Sequence, residues 1–134
     1  MPTLKIRGLD HVVLRTEQLD AVLHFYRDVL GCPIERTIEP IGLYQLRAGG
    51  SLIDVIDAKV WTTQAAGPGE SLYDHFCIAI DGDRAEDVAA VLDAAGIAHG
   101  EAVERYGATG NGMSLYVSDP DGRTVELKLT RGPG

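Results

Sequence analysis

Apolar positions along the chain switch from a period of two to a period near 3.6 and back, and they do so twice. Leu9–Thr16 (LDHVVLRT) alternates and is rich in β-branched residues, which predicts a strand. Beyond it Leu19, Val22, Leu23, Tyr26 and Leu30 fall at helical spacing, and Gly31 is a natural stop. Three more strands are predicted over Pro33–Ile38, Ile41–Arg47 and Ser51–Ile56, with AGGS turning between the last two. Then the order recurs. Tyr73–Asp81 predicts a strand, Asp83–Gly96 a helix with Val88, Val91, Leu92 and Ala95 on one face, and Ile97–Tyr106, Met113–Ser118 and Arg123–Thr130 further strands. The last two are joined by DPDG, with Pro120 at the second turn position.

A β-α-β-β-β order met twice predicts an α+β protein of two tandem βαβββ modules, whose mixed sheets enclose a cleft. Module one spans about 8–57, a linker about 58–71, and module two about 72–130, all within one domain. The linker is rich in small residues, Gly and Pro, which marks an exposed connection. It carries the only tryptophan, Trp61, either as a staple onto the core or as a pocket wall.

At 134 residues the chain has room for one domain of this size. Its net charge of -8 argues against a nucleic-acid footprint and against docking on anionic membranes, and favours solubility. An anionic substrate would need a local basic group or a metal. Neither a secretory leader nor a run of about 20 apolar residues is visible, so a cytoplasmic protein is expected. Cys32 and Cys77 then read as free thiols, and Cys77, on the face of His75, reads as an inert core residue or as part of the cleft lining.

The chemistry sits at matching points of the repeat. Each module opens with a strand carrying a histidine, His11 in DHVVL and His75 in DHFCI. Each closes with a strand carrying a central carboxylate, Asp54 in SLIDVI and Glu126 in TVELKL. Residues two apart share a strand face, so Asp54 lies with Leu52 and Ile56 on an otherwise apolar one. A buried carboxylate needs a metal, a cation or a donor. Two imidazoles and two carboxylates suit a divalent ion such as Ni, Zn, Co or Fe. The bland alternative is two polar strand-edge histidines that only mark an old duplication. His24 and His99 read as exposed bystanders.

The pieces LDHVVLRT, FYRDVLGC, YDHFCIAID and SLYVSDPDGRTVEL together resemble the vicinal oxygen chelate superfamily, and the likeness covers nearly the whole chain. That group includes glyoxalase I, fosfomycin-resistance thiol transferases, methylmalonyl-CoA epimerase, extradiol dioxygenases and bleomycin-resistance proteins. The resemblance implies a metal held by His11, His75 and Glu126. Asp54 falls at the fourth-ligand position, where the family usually has Glu or Gln. It implies a small substrate that chelates the ion through two adjacent oxygens. Glu126 is then the candidate base, with Asp54 as its partner. Tyr116 matches a pocket tyrosine of fosfomycin-type members. Arg15 resembles a residue that pairs with a glutathione carboxylate, and is equally a structural arginine. Ala58 stands where glyoxalase I has an asparagine, and GATGNG lacks a basic residue, which weakens a thiol substrate.

The expected activity is a metal-dependent lyase or isomerase of glyoxalase type. The alternatives are an Fe(II) extradiol-type dioxygenase and a non-catalytic small-molecule-binding resistance protein. Bleomycin-binding members lack these ligands, and an aromatic content of 6% argues modestly against a binder. A homodimer is expected by resemblance.

Overall fold

In the first half β1 (His11–Thr16) turns Val12, Leu14 and Thr16 to one side and His11, Val13 and Arg15 to the other. It leads into α1 (Leu19–Leu23), which continues as a π-helical turn, His24–Val29. β2 (Ile34–Ile38), a 3-10 turn (Glu39–Ile41), β3 (Leu43–Ala48) and β4 (Ser51–Asp57) follow. The strands lie in the order β1-β4-β3-β2. β4 runs parallel to β1 and antiparallel to β3. The computed structural model describes residues 9–61 and 75–130, so the rest of the linker, from 62 on, and residues 73 and 74 of the fifth predicted strand lie outside it.

The second half repeats the plan. β5 (His75–Asp81), α2 (Ala85–Ala94), β6 (Val103–Gly107), β7 (Gly110–Ser118) and β8 (Thr124–Thr130) form a sheet in the order β5-β8-β7-β6. β5 and β8 are parallel, and β7 is antiparallel to β8. The chain divides into two units, Met1–Gln64 and Ala65–Gly134. Both are mixed four-stranded sheets, which gives the expected α+β class and tandem βαβββ modules.

One face of each sheet carries the core. In the first unit Leu14, Leu46, Ile53 and Val55 bury against Val22, Leu23, Phe25 and Tyr26 of the helical segment. In the second, Leu115, Val117, Val125, Leu127 and Leu129 are buried, with Leu92 from α2. Each such side chain contributes about 1.5–3 kcal/mol by leaving water. The other face of each sheet holds the chemistry. No helix among the described residues is long and apolar enough to cross a membrane.

Several elements differ from the sequence expectation. The first helix widens because Leu30 N–H bonds the Phe25 carbonyl, five residues back, at 3.0 Å. The extra residue in the turn lets adjacent Phe25 and Tyr26 both bury. Ile41 closes a 3-10 turn instead of opening a strand, because Pro40 and a left-handed Gly42 (φ 65°) reverse the chain there. The strand expected from Ile97 begins only at Val103. Ile97 N–H still bonds the Leu92 carbonyl, so it belongs to the helix end. Of the expected inward face of α2 only Leu92 is buried, and Val91 is 53% exposed.

Candidate functional site

The parallel ladders place the site residues in the same register in both units. In the first, His11 aligns with Leu52, and Asp54 stands opposite Val13. In the second, His75 aligns with Thr124, and Glu126 stands opposite Cys77. Each histidine therefore sits two residues before the partner of its carboxylate, on the same face. This register was legible from the repeat, because both strand pairs read His-x-x against a central acid.

The second unit is the more tightly built. Glu126 is 7% exposed, yet both oxygens are occupied. Ser114 Oγ donates to Oε2 at 2.7 Å, and Tyr116 OH donates to Oε1 at 3.1 Å. His75 Nε2 also faces Oε1 at 3.1 Å. Burial pushes the Glu126 carboxyl up, but the bonds from Ser114, Tyr116 and His75 outweigh it and hold the group below the ordinary range. His75 packs edge-on against the Tyr116 ring, centroids 5.8 Å apart. Ser114 and Tyr116 reach Glu126 because β7 carries them across from Lys128 and Glu126 on β8.

In the first unit Asp54 is also buried, 6% exposed. Among the described residues its one donor is Gln45 on β3, its direct cross-strand partner. Gln45 Nε2 lies 3.2 Å from Oδ1 and 3.3 Å from Oδ2. His11 does not reach Asp54; its Nδ1 pairs with Asp10 Oδ2 at 2.8 Å. The bond to Asp10 raises the His11 pKa above its ordinary value, with a smaller contribution from Asp54. Within each unit the described residues supply one imidazole and one carboxylate, and no cluster of three or more metal-ligating side chains.

The other expected site residues fall as follows. Arg15 Nη2 donates to the Trp61 backbone carbonyl at 3.0 Å, so these two meet through the main chain. Cys77 is exposed on the open face of β5, not in the core, because odd-numbered β5 residues point away from the helix. Both cysteines are free. His24 is exposed as expected and pairs with Asp28. His99 is less exposed than expected: its side chain is only 15% exposed, and its ring nitrogens face the Gly100 carbonyl and Asp93. Sequence reasoning missed Ser114, Gln45 and Arg105. Arg105 Nε donates to Tyr116 OH at 3.1 Å, and its guanidinium lies 5.7 Å from that ring's centroid. The available signal was phase. Ser114 and Gln45 share the carboxylate face of their strands, as two-residue counting from Tyr116 and pairing with Asp54 would show. A surface cavity of about 320 Å³ lined by Gln18, Asp20, Asp57 and Lys59, among others, lies at the far end of β1 from His11 and holds none of these groups.

Each unit supplies one imidazole and one carboxylate, donor types that a divalent ion takes. An imidazole nitrogen and a carboxylate oxygen side by side on one octahedral ion, each about 2.1 Å from it, stand about 3 Å apart. His75 Nε2 and Glu126 Oε1 have that separation. Asp54, buried with a single neutral donor for two oxygens, adds a second locus that favours a cation.

Duplicated βαβββ units with an acid at the centre of each open sheet face define a protein of the vicinal oxygen chelate fold. The chain belongs to the Glyoxalase/Bleomycin resistance protein/Dioxygenase superfamily, whose model matches residues 8–127. It is 31% identical over 128 residues to the virulence protein STM3117 of Salmonella typhimurium, covering 91% of this chain and 83% of that one. The crystal structure of that protein superposes with a TM-score of 0.78 over 95% of this chain and 99% of the other, at 27% identity. A lactoylglutathione lyase of Haemophilus influenzae is 30% identical over 125 residues, covering 87% of this chain and 88% of the relative. An integron cassette protein from the mobile metagenome of V. Cholerae superposes with a TM-score of 0.79, at 26% identity, over 95% of this chain and 98% of that one.

Proposed function

We propose that this protein is a divalent-metal-dependent lyase or isomerase of glyoxalase type, acting on a small substrate that offers two adjacent oxygens. The observation that carries the reading is the His75–Glu126 pair, spaced like two neighbouring ligands and repeated in register by His11 and Asp54. The lactoylglutathione lyase relative supports the reaction class. His11, His75 and Glu126 would hold the ion, with Asp54 as the fourth group of the site. Such an ion supplies Lewis acidity toward the substrate oxygens.

The chain's own residues divide the remaining work. Glu126, with a hydroxyl donor on each oxygen, is fixed and ionised, which suits a ligand better than a base. Asp54 keeps open lone pairs and is the better carrier of a proton between adjacent carbons. Tyr116, held by Arg105, orients its hydroxyl on Glu126 and lines the substrate side. Arg15 and Trp61 stand at the other end of β1, as a substrate-facing or purely structural pair. We assign the protein to the cytoplasm as a homodimer of single-domain chains, with no nucleic-acid or membrane partner.

The extradiol-type dioxygenase remains a second reading because the Gln45 amide lies in front of Asp54, between its two oxygens. That would leave a two-His-one-carboxylate triad suited to Fe(II). Metal analysis of protein purified without chelator, with His75→Ala as control, tests the proposal. Stoichiometric nickel, cobalt or zinc lost in His75→Ala, with hemithioacetal or epimerase turnover, is expected. Iron with oxygen uptake on catechols selects the second reading. No stoichiometric ion in any preparation overturns both.

A further inference from the structure

Among the described residues, Arg27, Arg47, Arg84 and Arg123 each pair with a carboxylate, and Arg105 pairs with none. Arg105 is exposed on β6, the edge strand of the second unit. It aligns with Gly112 on β7, on the face that carries Ser114, Tyr116 and Glu126. Its Nε donates to Tyr116 OH at 3.1 Å, its Nη1 donates to the Glu104 carbonyl at 2.9 Å, and the guanidinium lies 5.7 Å from the centre of the Tyr116 ring. A guanidinium has five N–H donors and two are spent here, so Nη1 and Nη2 keep enough for a forked pair of bonds. Tyr116 OH touches both Arg105 Nε and Glu126 Oε1, each at 3.1 Å. The cation therefore stands within two hydrogen-bond lengths of the carboxylate at the centre of this sheet face.

We propose that Arg105 is a substrate-binding residue, whose open Nη1–Nη2 edge takes a carboxylate group of the substrate. Arg105 thereby sets the substrate class of the reaction proposed above, a step that rests on that reading for its chemistry but not for its binding. A chain of net charge -8 repels anions, so an acidic substrate needs a local cation, and Arg105 supplies one on the face of Glu126. The ring of Tyr116 and its hydroxyl fix the guanidinium plane before a ligand arrives, which lowers the ordering cost of binding. Steadying Tyr116 takes only Nε, and Nη2 has no partner among the described residues. The ionised Glu126 close by selects the charge of the ligand. A carboxylate monoanion meets less repulsion there than a phosphate dianion does.

Titration of the nitrogen-15-labelled full chain with propionate tests this, followed by NMR at the Arg105 Nε–Hε signal and the backbone amides of β6 and β7. Propionamide, the uncharged analogue, and inorganic phosphate are the control ligands. Wild type should saturate with propionate, respond less to phosphate and not respond to propionamide. Arg105→Lys keeps the charge but loses the fork, and should bind propionate about fivefold more weakly. Arg105→Met should show no saturation. Melting curves record any loss of packing on Tyr116, which by itself leaves propionate affinity unmoved. Propionate affinity within about twofold of wild type in both variants overturns the proposal. So does an equal response to propionamide, or tighter binding of phosphate. The same titration after chelator treatment separates this site from a metal. Binding that vanishes there, and that ignored position 105 before, goes to an ion; this proposal then falls and the metal reading stands. Binding through Arg105 in protein that never takes up an ion keeps the carboxylate site and removes the metal reading.

Discussion

Tyr116 donates its hydroxyl to Glu126 Oε1 across 3.1 Å, and the two residues are direct partners on β7 and β8. Ser114, two residues earlier on the same face, completes the hold on the other oxygen. Ser114 is fully buried, so Ser114→Ala leaves a buried carboxylate oxygen without its donor and should cost about 2–3 kcal/mol. Tyr116→Phe, at a half-buried donor, should cost about 1 kcal/mol. Urea denaturation of metal-free protein measures both. Glu126 has its folded pKa lowered from 4.5, so its contribution is present above pH 4.5 and is lost as pH falls through the folded value. Ser114→Ala should therefore move the acid-unfolding midpoint upward. Equal midpoints would show that the bond does not hold the charge.

Cys77 stands opposite Glu126 in the parallel ladder. Burial of the sulfur, then the Glu126 charge, pushes its pKa up to about 11. An exposed residue thus carries an unreactive thiol, since the thiolate is the nucleophile. Iodoacetamide at pH 7.5 should modify it at least about a hundredfold more slowly than free cysteine. Glu126→Gln should speed the reaction by removing the adjacent charge. Labelling at the free-cysteine rate, read by mass spectrometry, would contradict this.

Gly112 shows how closely β7 approaches β8. A Cβ there would stand 2.4 Å from the Leu129 backbone oxygen and 3.2 Å from Lys128 Cε. The Lys128 ammonium is buried and donates to the Gly110 carbonyl, so its stem has little freedom to retreat. Gly112→Ala should cost about 3 kcal/mol as an overpacked position. Gly50 has an open environment and no left-handed backbone, so Gly50→Ala should be close to neutral. Thermal melts of the two variants side by side decide the matter.

The repeat made most of this readable from the chain. Period-two phase placed His11, His75, Asp54 and Glu126 on matching faces, and the observed ladders keep that phase. Local propensity misled where tertiary burial decides. The π-helical turn exists to bury Phe25 beside Tyr26, a demand no helical-wheel count contains. The connection after α2 carries apolar Ile97 and Ala98, but the helix cap and His99 claim it before pairing can begin. The neutral donors were harder to see than the charges. Gln45, Ser114 and Arg105 are ordinary strand residues until cross-strand pairing gives them a partner.

That same connection provides a pH-dependent contact. His99 Nδ1 lies 2.8 Å from the Gly100 carbonyl oxygen, and Nε2 lies 2.8 Å from Asp93 Oδ1. Neither acceptor has a proton to give, and a neutral imidazole has only one N–H. Both bonds form together only in the imidazolium. The bond to Gly100, then that to Asp93, raises the His99 pKa from 6.5. A raised folded pKa contributes stability that is complete below 6.5 and is lost as pH climbs through the folded value. His99→Asn should therefore melt lower than wild type at about pH 5.5, and the gap should close by about pH 9. Asp93→Asn should show the same closing gap, because it removes the charged acceptor. A melting difference that is constant across this range, or that widens toward alkaline pH, would mean that the neutral ring makes these contacts.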